Sequence, residues 1–259
     1  MHRTDVAQAL GRRVLTFFAH SAGAFALVIA AARALPALAL RPVRLVFYRQ
    51  IYFTGVQALF VVAAIALVLG LAIITQVASL AGRTTELTGR ILVWVVVREL
   101  GPLFAAIIVI ARSGTAVAAE LGSMKVSDEV HYLRAMGIPA ARYLVMPRIA
   151  GLTTSLLVLL FFFQGIAVLG GLALSSLLFD LPFRAQLDNL AATLSFFDLS
   201  ISLVKGLVFG LVIAAAACYH GLRVRTSITE VPQAATRAVI EALILVVVIN
   251  GVITVASFL

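Results

Sequence analysis

The chain has 259 residues, 63% hydrophobic and only 12% charged, with a formal net charge of +9 and a mean hydropathy of +1.12. Soluble domains carry about 25% charged residues, so the composition excludes an ordinary soluble domain and indicates a helical protein that crosses a membrane several times. The positive balance does not imply nucleic acid, because basic residues of membrane proteins gather in cytoplasmic loops, and the single cysteine, Cys218, excludes an internal disulfide and leaves no CxxC or zinc pattern.

Near the N-terminus, residues 14–32 form an apolar run, VLTFFAHSAGAFALVIAAA. It resembles a signal peptide or a sixth crossing, and a helix lying in the interface is the further reading. Arg3, Arg12 and Arg13 precede the run, and Arg33, Arg41, Arg44 and Arg49 follow it. A crossing would leave one of these groups outside, against the positive-inside rule. An interfacial helix keeps both inside, and is the favoured reading.

Five further runs approach or exceed the roughly 20 residues that cover about 30 Å of hydrocarbon: 52–75, 91–119, 149–177, 199–220 and 237–258. The stretches 56–74 and 238–258 show no polar face at helical period, which opposes a soluble bundle. No repeat or linker is visible. The expected organisation is one domain over 1–259, with 1–50 as an N-terminal interfacial region and 51–259 as a transmembrane bundle.

The second run carries charge. Arg98 and Glu99 lie about eight residues from its outer end, roughly 12 Å deep at 1.5 Å per residue, and Lys205 lies at roughly 10 Å in the fourth run. Each buried charge costs at least about 2.5–3.5 kcal/mol, so such groups face partners or a wet cavity. Adjacent helical residues point about 100° apart. Glu99 is therefore expected to pair with Lys205 while Arg98 turns to a cavity or to a second copy of the chain. Two roles compete for this layer, a structural ion pair and a polar lining that meets an anionic lipid headgroup. Gly101-Pro102 is expected to break and bend the helix there. Arg112, among Ser113, Gly114 and Ala118, reads as a structural anchor where small residues let helices approach.

Between the second and third runs, Ser127 is the expected N-cap of a short helix, with Asp128 and Glu129 in its first turn. Gly137 closes it in the left-handed conformation and Pro139 prevents continuation. The helix spans about nine or ten residues, far short of the roughly 20 needed to cross. Val130, Leu133 and Met136 line one stripe, with Tyr132 near it. The stripe either packs on the chain's own bundle or enters a groove on a cytosolic partner. Further along, Gln164 is expected to bond between helices, and Glu241 to reach Arg237 four residues earlier. The stretch 179–198 either meets an extracytoplasmic partner or caps the bundle. His131 and His220 show no metal-ligand spacing. No G-x-x-x-x-G-K-[ST] occurs, so the chain lacks the cradle that binds nucleotide phosphates.

The string RELGPLFAAIIVIARSGTAVAAELGSMKVSDEVHYLRAMGIPAARYLVMPR (98–148) resembles the MlaE/YrbE family of ABC-transporter permeases. So does GLRVRTSITEVPQAATRAVI (221–240), with its Ala235, Thr236, Arg237, Ala238 and Val239. The likeness runs from about residue 41 to the end. It implies a homodimeric permease in a bacterial inner membrane, moving lipids, phospholipid foremost. ATP and Mg would be bound by a cytoplasmic MlaF-type ATPase, with a small STAS-type MlaB subunit as a further partner and an extracytoplasmic MCE-domain protein of MlaD type outside. It also implies a coupling region at 120–137, with Glu120, Lys125, Asp128, Glu129, Val130, Leu133 and Met136 facing the ATPase, and an interfacial N-terminal helix. No cofactor, metal or catalytic residue is expected in this chain.

An ion-gradient carrier is the alternative, but it should show internal repeats. A membrane enzyme would need a His, Asp or Ser cluster at one face. Charge fixes the expected orientation. With the N-terminus cytoplasmic, Lys125, Arg134, Arg142, Arg148, Arg223, Arg225 and Arg237 join the seven N-terminal arginines inside, against Arg83, Arg90 and Arg184 outside. Five crossings then leave the C-terminus periplasmic.

Overall fold

The computed structural model describes residues 22–81, 91, 93–179, 183–225 and 227–257. Among them every regular element is helical. Five helical segments are long and apolar enough to cross a membrane: Arg41–Val77, Val93–Val126, Ala141–Leu174, Phe196–Leu222 and Glu230–Ala256. The fold is therefore all-α and polytopic, and the five runs read from hydropathy correspond to these spans in order.

The spans extend beyond the apolar runs because helix continues through the polar flanks. The first begins at Arg41, not 52. Pro42 lies in its first turn, where a missing N–H costs little. Helix Arg41–Thr54 is joined to Leu59–Ala81 through Gly55 and a single 3-10 turn, Val56–Ala58, with no intervening loop. Of the 14–32 run, the part within the described residues is a short apolar helix, Ala22–Arg33; the remainder, with Arg3, Arg12 and Arg13, lies outside them.

Periodicity gave no sign of the four π-helical turns among the described residues, at Val93–Leu100, Ile110–Gly114, Ala141–Val145 and Ile166–Gly170. Such turns widen the helix by one residue and leave carbonyls to be satisfied from elsewhere.

The described residues pack into two compact units. One comprises the chain up to Gln50, Ile110–Leu152 and Leu211–Leu245, the other Ile51–Val109, Thr153–Gly210 and Val246–Leu259. In the first, Leu121, Leu144, Leu152 and Cys218 are fully buried. In the second, Ile74, Leu156, Leu159, Phe163 and Phe209 fill the core, with Phe104 stacked on Phe163 at 6.2 Å. Phe60, Val68, Val158 and Val252 stay exposed, as residues do on a surface solvated by lipid.

Candidate functional site

Pro102 has no N–H to donate. In α register that leaves the Arg98 carbonyl without its partner, and in π register the Val97 carbonyl. The turn before it, Val93–Leu100, is π-helical, and α-helix resumes at Gly101. Both freed carbonyls are taken by side chains. Lys205 Nζ donates to Arg98 O at 2.8 Å. Gln164 Nε2 donates to Val97 O at 2.9 Å and to Ser202 Oγ at 2.6 Å. The expected break is thus absent: the helix continues through Gly101-Pro102 because two other spans supply the missing donors. Gly101 is required here, since a Cβ would lie 2.6 Å from Val96 O and 2.8 Å from Gln164 Cγ.

The expected ion pair is present and larger than a pair. Lys205 is fully buried, and its ammonium meets Glu99 Oε1 at 2.9 Å, Thr254 Oγ1 at 2.9 Å and the Arg98 carbonyl. Its three N–H bonds therefore all have acceptors. Glu99 also accepts from the Thr254 hydroxyl, at 2.9 and 3.0 Å to its two oxygens, and from Asn250 Nδ2 at 3.1 Å.

Arg98 is not left facing open space. Its guanidinium donates to Ser257 Oγ at 2.6 Å and lies 3.6 Å from Asp198 Oδ1. The second Asp198 oxygen accepts the Ser195 N–H at 3.1 Å, and Ser195 Oγ accepts the Phe197 N–H at 3.3 Å. This reciprocal cap starts the fourth span and aims Asp198 at Arg98. Two cations thus meet two anions.

Sequence reasoning missed Asp198, Asn250, Thr254 and Ser257. The signal was available: 198, 202 and 205, and again 250, 254 and 257, repeat the i, i+4, i+7 spacing of one helix face. The fifth span accordingly does carry a polar stripe, contrary to its reading as apolar all round.

In the other unit, the short helix runs Glu129–Ala135. Its N-cap is Asp128, not Ser127. The Ser127 N–H still bonds Ser123 O and closes the preceding helix, so the chain turns at Asp128, which adopts φ 58°, a conformation aspartate tolerates better than most residues. The closing end is as expected. Gly137 has φ 76°, its N–H bonds Arg134 O, and the Ile138 N–H bonds Leu133 O, which together form a Schellman motif.

The apolar stripe divides. Val130 is buried in its own chain and Leu133 half-buried, while Tyr132 and Met136 are 62% and 66% exposed. Asp128 and Glu129 are exposed and Lys125 half-buried. Glu120 pairs at 3.1 Å with Arg148, a buried arginine that also donates to Leu144 O. Arg112 is half-buried in the π turn Ile110–Gly114, beside buried Ser113 and Gly114. Glu241 does not reach for Arg237: it is buried and meets His220 Nε2 at 2.5 Å, whereas Arg237 stays exposed. Among the described residues no three His, Cys, Asp or Glu are placed to hold a metal ion.

Residues 47–256 match the profile of the family described as Permease MlaE. The chain belongs to this family. Similar proteins include a probable ABC transporter permease protein of Rickettsia felis, 31% identical with 96% of each chain covered. The intermembrane phospholipid transport system permease protein MlaE of Haemophilus influenzae is 25% identical, again with 96% of each chain covered. The chloroplastic protein trigalactosyldiacylglycerol 1 of Arabidopsis thaliana is 31% identical over 60% of this chain and 45% of its own. This MlaE-family chain is therefore the permease component of an ABC transporter and an integral membrane protein. Its class sets aside the ion-gradient carrier.

Proposed function

We propose that this permease moves phospholipid, and that Arg98 is the group that meets the lipid phosphate. The observation that carries the assignment is the unequal exposure of the two cations. Lys205 is fully buried with every N–H committed, so together with Glu99 it holds the spans in place. Arg98 keeps 13% of its side chain exposed, and its 3.6 Å approach to Asp198 is longer than the roughly 2.7–2.9 Å of a well-made charge-assisted bond. A phosphate oxygen can displace so loose a carboxylate, with Asp198 still held by the Ser195 N–H.

Membership of an ABC permease family supports a set of partners. Lacking a nucleotide cradle, the chain works as a homodimer with a MlaF-type ATPase that binds ATP and Mg, a small MlaB-type subunit, and an MlaD-type MCE protein on the periplasmic side of the inner membrane. The ATPase docks on the exposed side of the Glu129–Ala135 helix. The names of the Haemophilus and Arabidopsis relatives, each a lipid system or a lipid, support the cargo.

The test uses Arg98→Ala and Arg98→Lys in the assembled complex, with retained phospholipid read by mass spectrometry and transfer by a vesicle assay. One charged hydrogen bond is worth about 1.5–3 kcal/mol, so Arg98→Ala should assemble normally yet retain about ten- to a hundredfold less phospholipid, and Arg98→Lys should recover part of it. Undiminished transfer by Arg98→Ala overturns the assignment.

A further inference from the structure

The segment joining the fourth and fifth spans folds around a cavity of about 320 Å³ lined by Arg223, Arg225, Arg237, Gln233, His220 and Glu230 among others. Three guanidinium groups thus share one small concavity with a single carboxylate. That carboxylate is already engaged, because Glu230 Oε2 accepts the backbone N–H of Arg225 at 3.0 Å. His220 is engaged with Glu241. Arg223 is held in place, its guanidinium donating to the Tyr219 hydroxyl and lying 5.2 Å from that ring's centre. Among the described residues, Arg225 and Arg237 have no ion-pair partner. The cavity therefore carries uncompensated positive charge in planar, fork-shaped donors, which match phosphate oxygens in pairs. Its volume is at the low end for small-molecule sites, about 300–1,000 Å³, suited to a headgroup more than to a nucleotide.

The surface beside the cavity indicates where that phosphate comes from. Arg237, Ile240 and Ile244 follow the i, i+3, i+7 spacing that puts residues on one helix face, and Ile240 and Ile244 are 53% and 46% exposed. A cation at the cavity is thus continued by an aliphatic stripe along the start of the fifth span, the pattern of charge and grease that a phospholipid presents in reverse. We infer that the Arg223–Arg225–Arg237 cavity binds the phosphate of an anionic phospholipid whose acyl chain lies along Ile240 and Ile244, a site separate from the Arg98 cluster.

The probe is an equimolar mixture of dioleoylphosphatidylglycerol and dioleoylphosphatidylcholine, added to the full chain in mild detergent and counted by native mass spectrometry. Wild type should retain phosphatidylglycerol in preference to phosphatidylcholine by about tenfold, the equivalent of one charge-assisted bond. The double variant Arg225→Gln/Arg237→Gln should lose that preference, and lipid transfer by the assembled complex, the readout of the Arg98 assignment, is scored separately, so failure here is distinguishable from failure of the transport assignment. Because both arginines are exposed, the variant should elute as wild type does on size exclusion. Ile240→Ser separates the two sources of phosphate. A bound lipid is weakened by that change and resists millimolar inorganic phosphate, which supports the inference. Full displacement by inorganic phosphate with no effect of Ile240→Ser overturns the lipid assignment in favour of a soluble anion, and an unchanged lipid preference in the double variant overturns the site.

Discussion

Lys205 is an ammonium group without access to solvent, and its three acceptors come from two neighbouring spans. Removing it strands the Glu99 carboxylate and the Arg98 carbonyl together. Lys205→Met should therefore cost about 3–5 kcal/mol, the usual penalty for breaking a buried pair, read as a fall in the midpoint of detergent-induced unfolding. Glu99→Gln should also lower the midpoint, because its amide oxygen still accepts from Lys205 and Thr254 but leaves the buried ammonium without a counter-charge. Asn250 Oδ1 is buried without a hydrogen-bond partner, and rotation of that amide would accept the new N–H. Reversing the pair as Glu99→Lys with Lys205→Glu should not restore stability, since a carboxylate at 205 would face the Arg98 carbonyl oxygen; recovery of the wild-type midpoint would refute this geometry. The pairing of Glu99 with Lys205 was legible in the sequence because two opposite charges shared one depth in an apolar layer. The carbonyl was not, because it is freed by Pro102 in a register that residue identities do not specify. The hydroxyl and amide groups were overlooked because Asn, Thr and Ser in a span cost little enough to pass as filler.

At the scale of elements, the Glu129–Ala135 helix separates what residue patterns can specify from what only backbone can. Its end was legible: Gly137 supplies the positive φ and Pro139 forbids a further turn. Its start was not, because Ser127 and Asp128 are both good caps and the choice rests on which N–H the previous helix retains. The stripe was also half legible, since period gives a face but not what covers it. Val130 belongs to the chain's own core, and Met136 is open to a partner. Met136→Asp should leave the permease folded and inserted while ATPase co-purification falls. Val130→Asp should lose the folded permease itself, by burying an unpaired carboxylate. Equal ATPase recovery from Met136→Asp and wild type would remove this helix from the interface. Gly137→Ala should lower stability by about 1 kcal/mol, the approximate cost of an L residue in the left-handed region, without changing assembly.

For the whole molecule, orientation rests on charge and on the number of crossings. The described residues contain five helices able to span, an odd number, which puts the two ends of that set on opposite sides. Basic residues decide which side. The end of the second span, the connection after it and the start of the third hold Lys125, Arg134, Arg142 and Arg148, and the connection between the fourth and fifth holds Arg223 and Arg225, while the helix Phe183–Thr193 between the third and fourth carries Arg184 with Asp188. Counted as lysine and arginine alone, two sides are rich and the connection between them has one, the alternation expected when the rich pair faces the cytoplasm. The same side then holds Met136 and the arginine-lined cavity, so the proposed ATPase docking and the inferred phospholipid site face the same compartment. A cysteine introduced at Ser227, in a background with Cys218→Ala, should react with a membrane-impermeant maleimide only after the cells are opened, and one introduced at Asp188 should react in cells whose outer membrane alone is permeabilised. A reporter fused at residue 8 should read cytoplasmic, and one fused after Leu259 periplasmic. If both ends report from the same side, the 14–32 run makes a sixth crossing and its flanking arginines are divided between compartments; if instead the two cysteine results are interchanged, the permease is inverted and its ATPase would have no access to Met136.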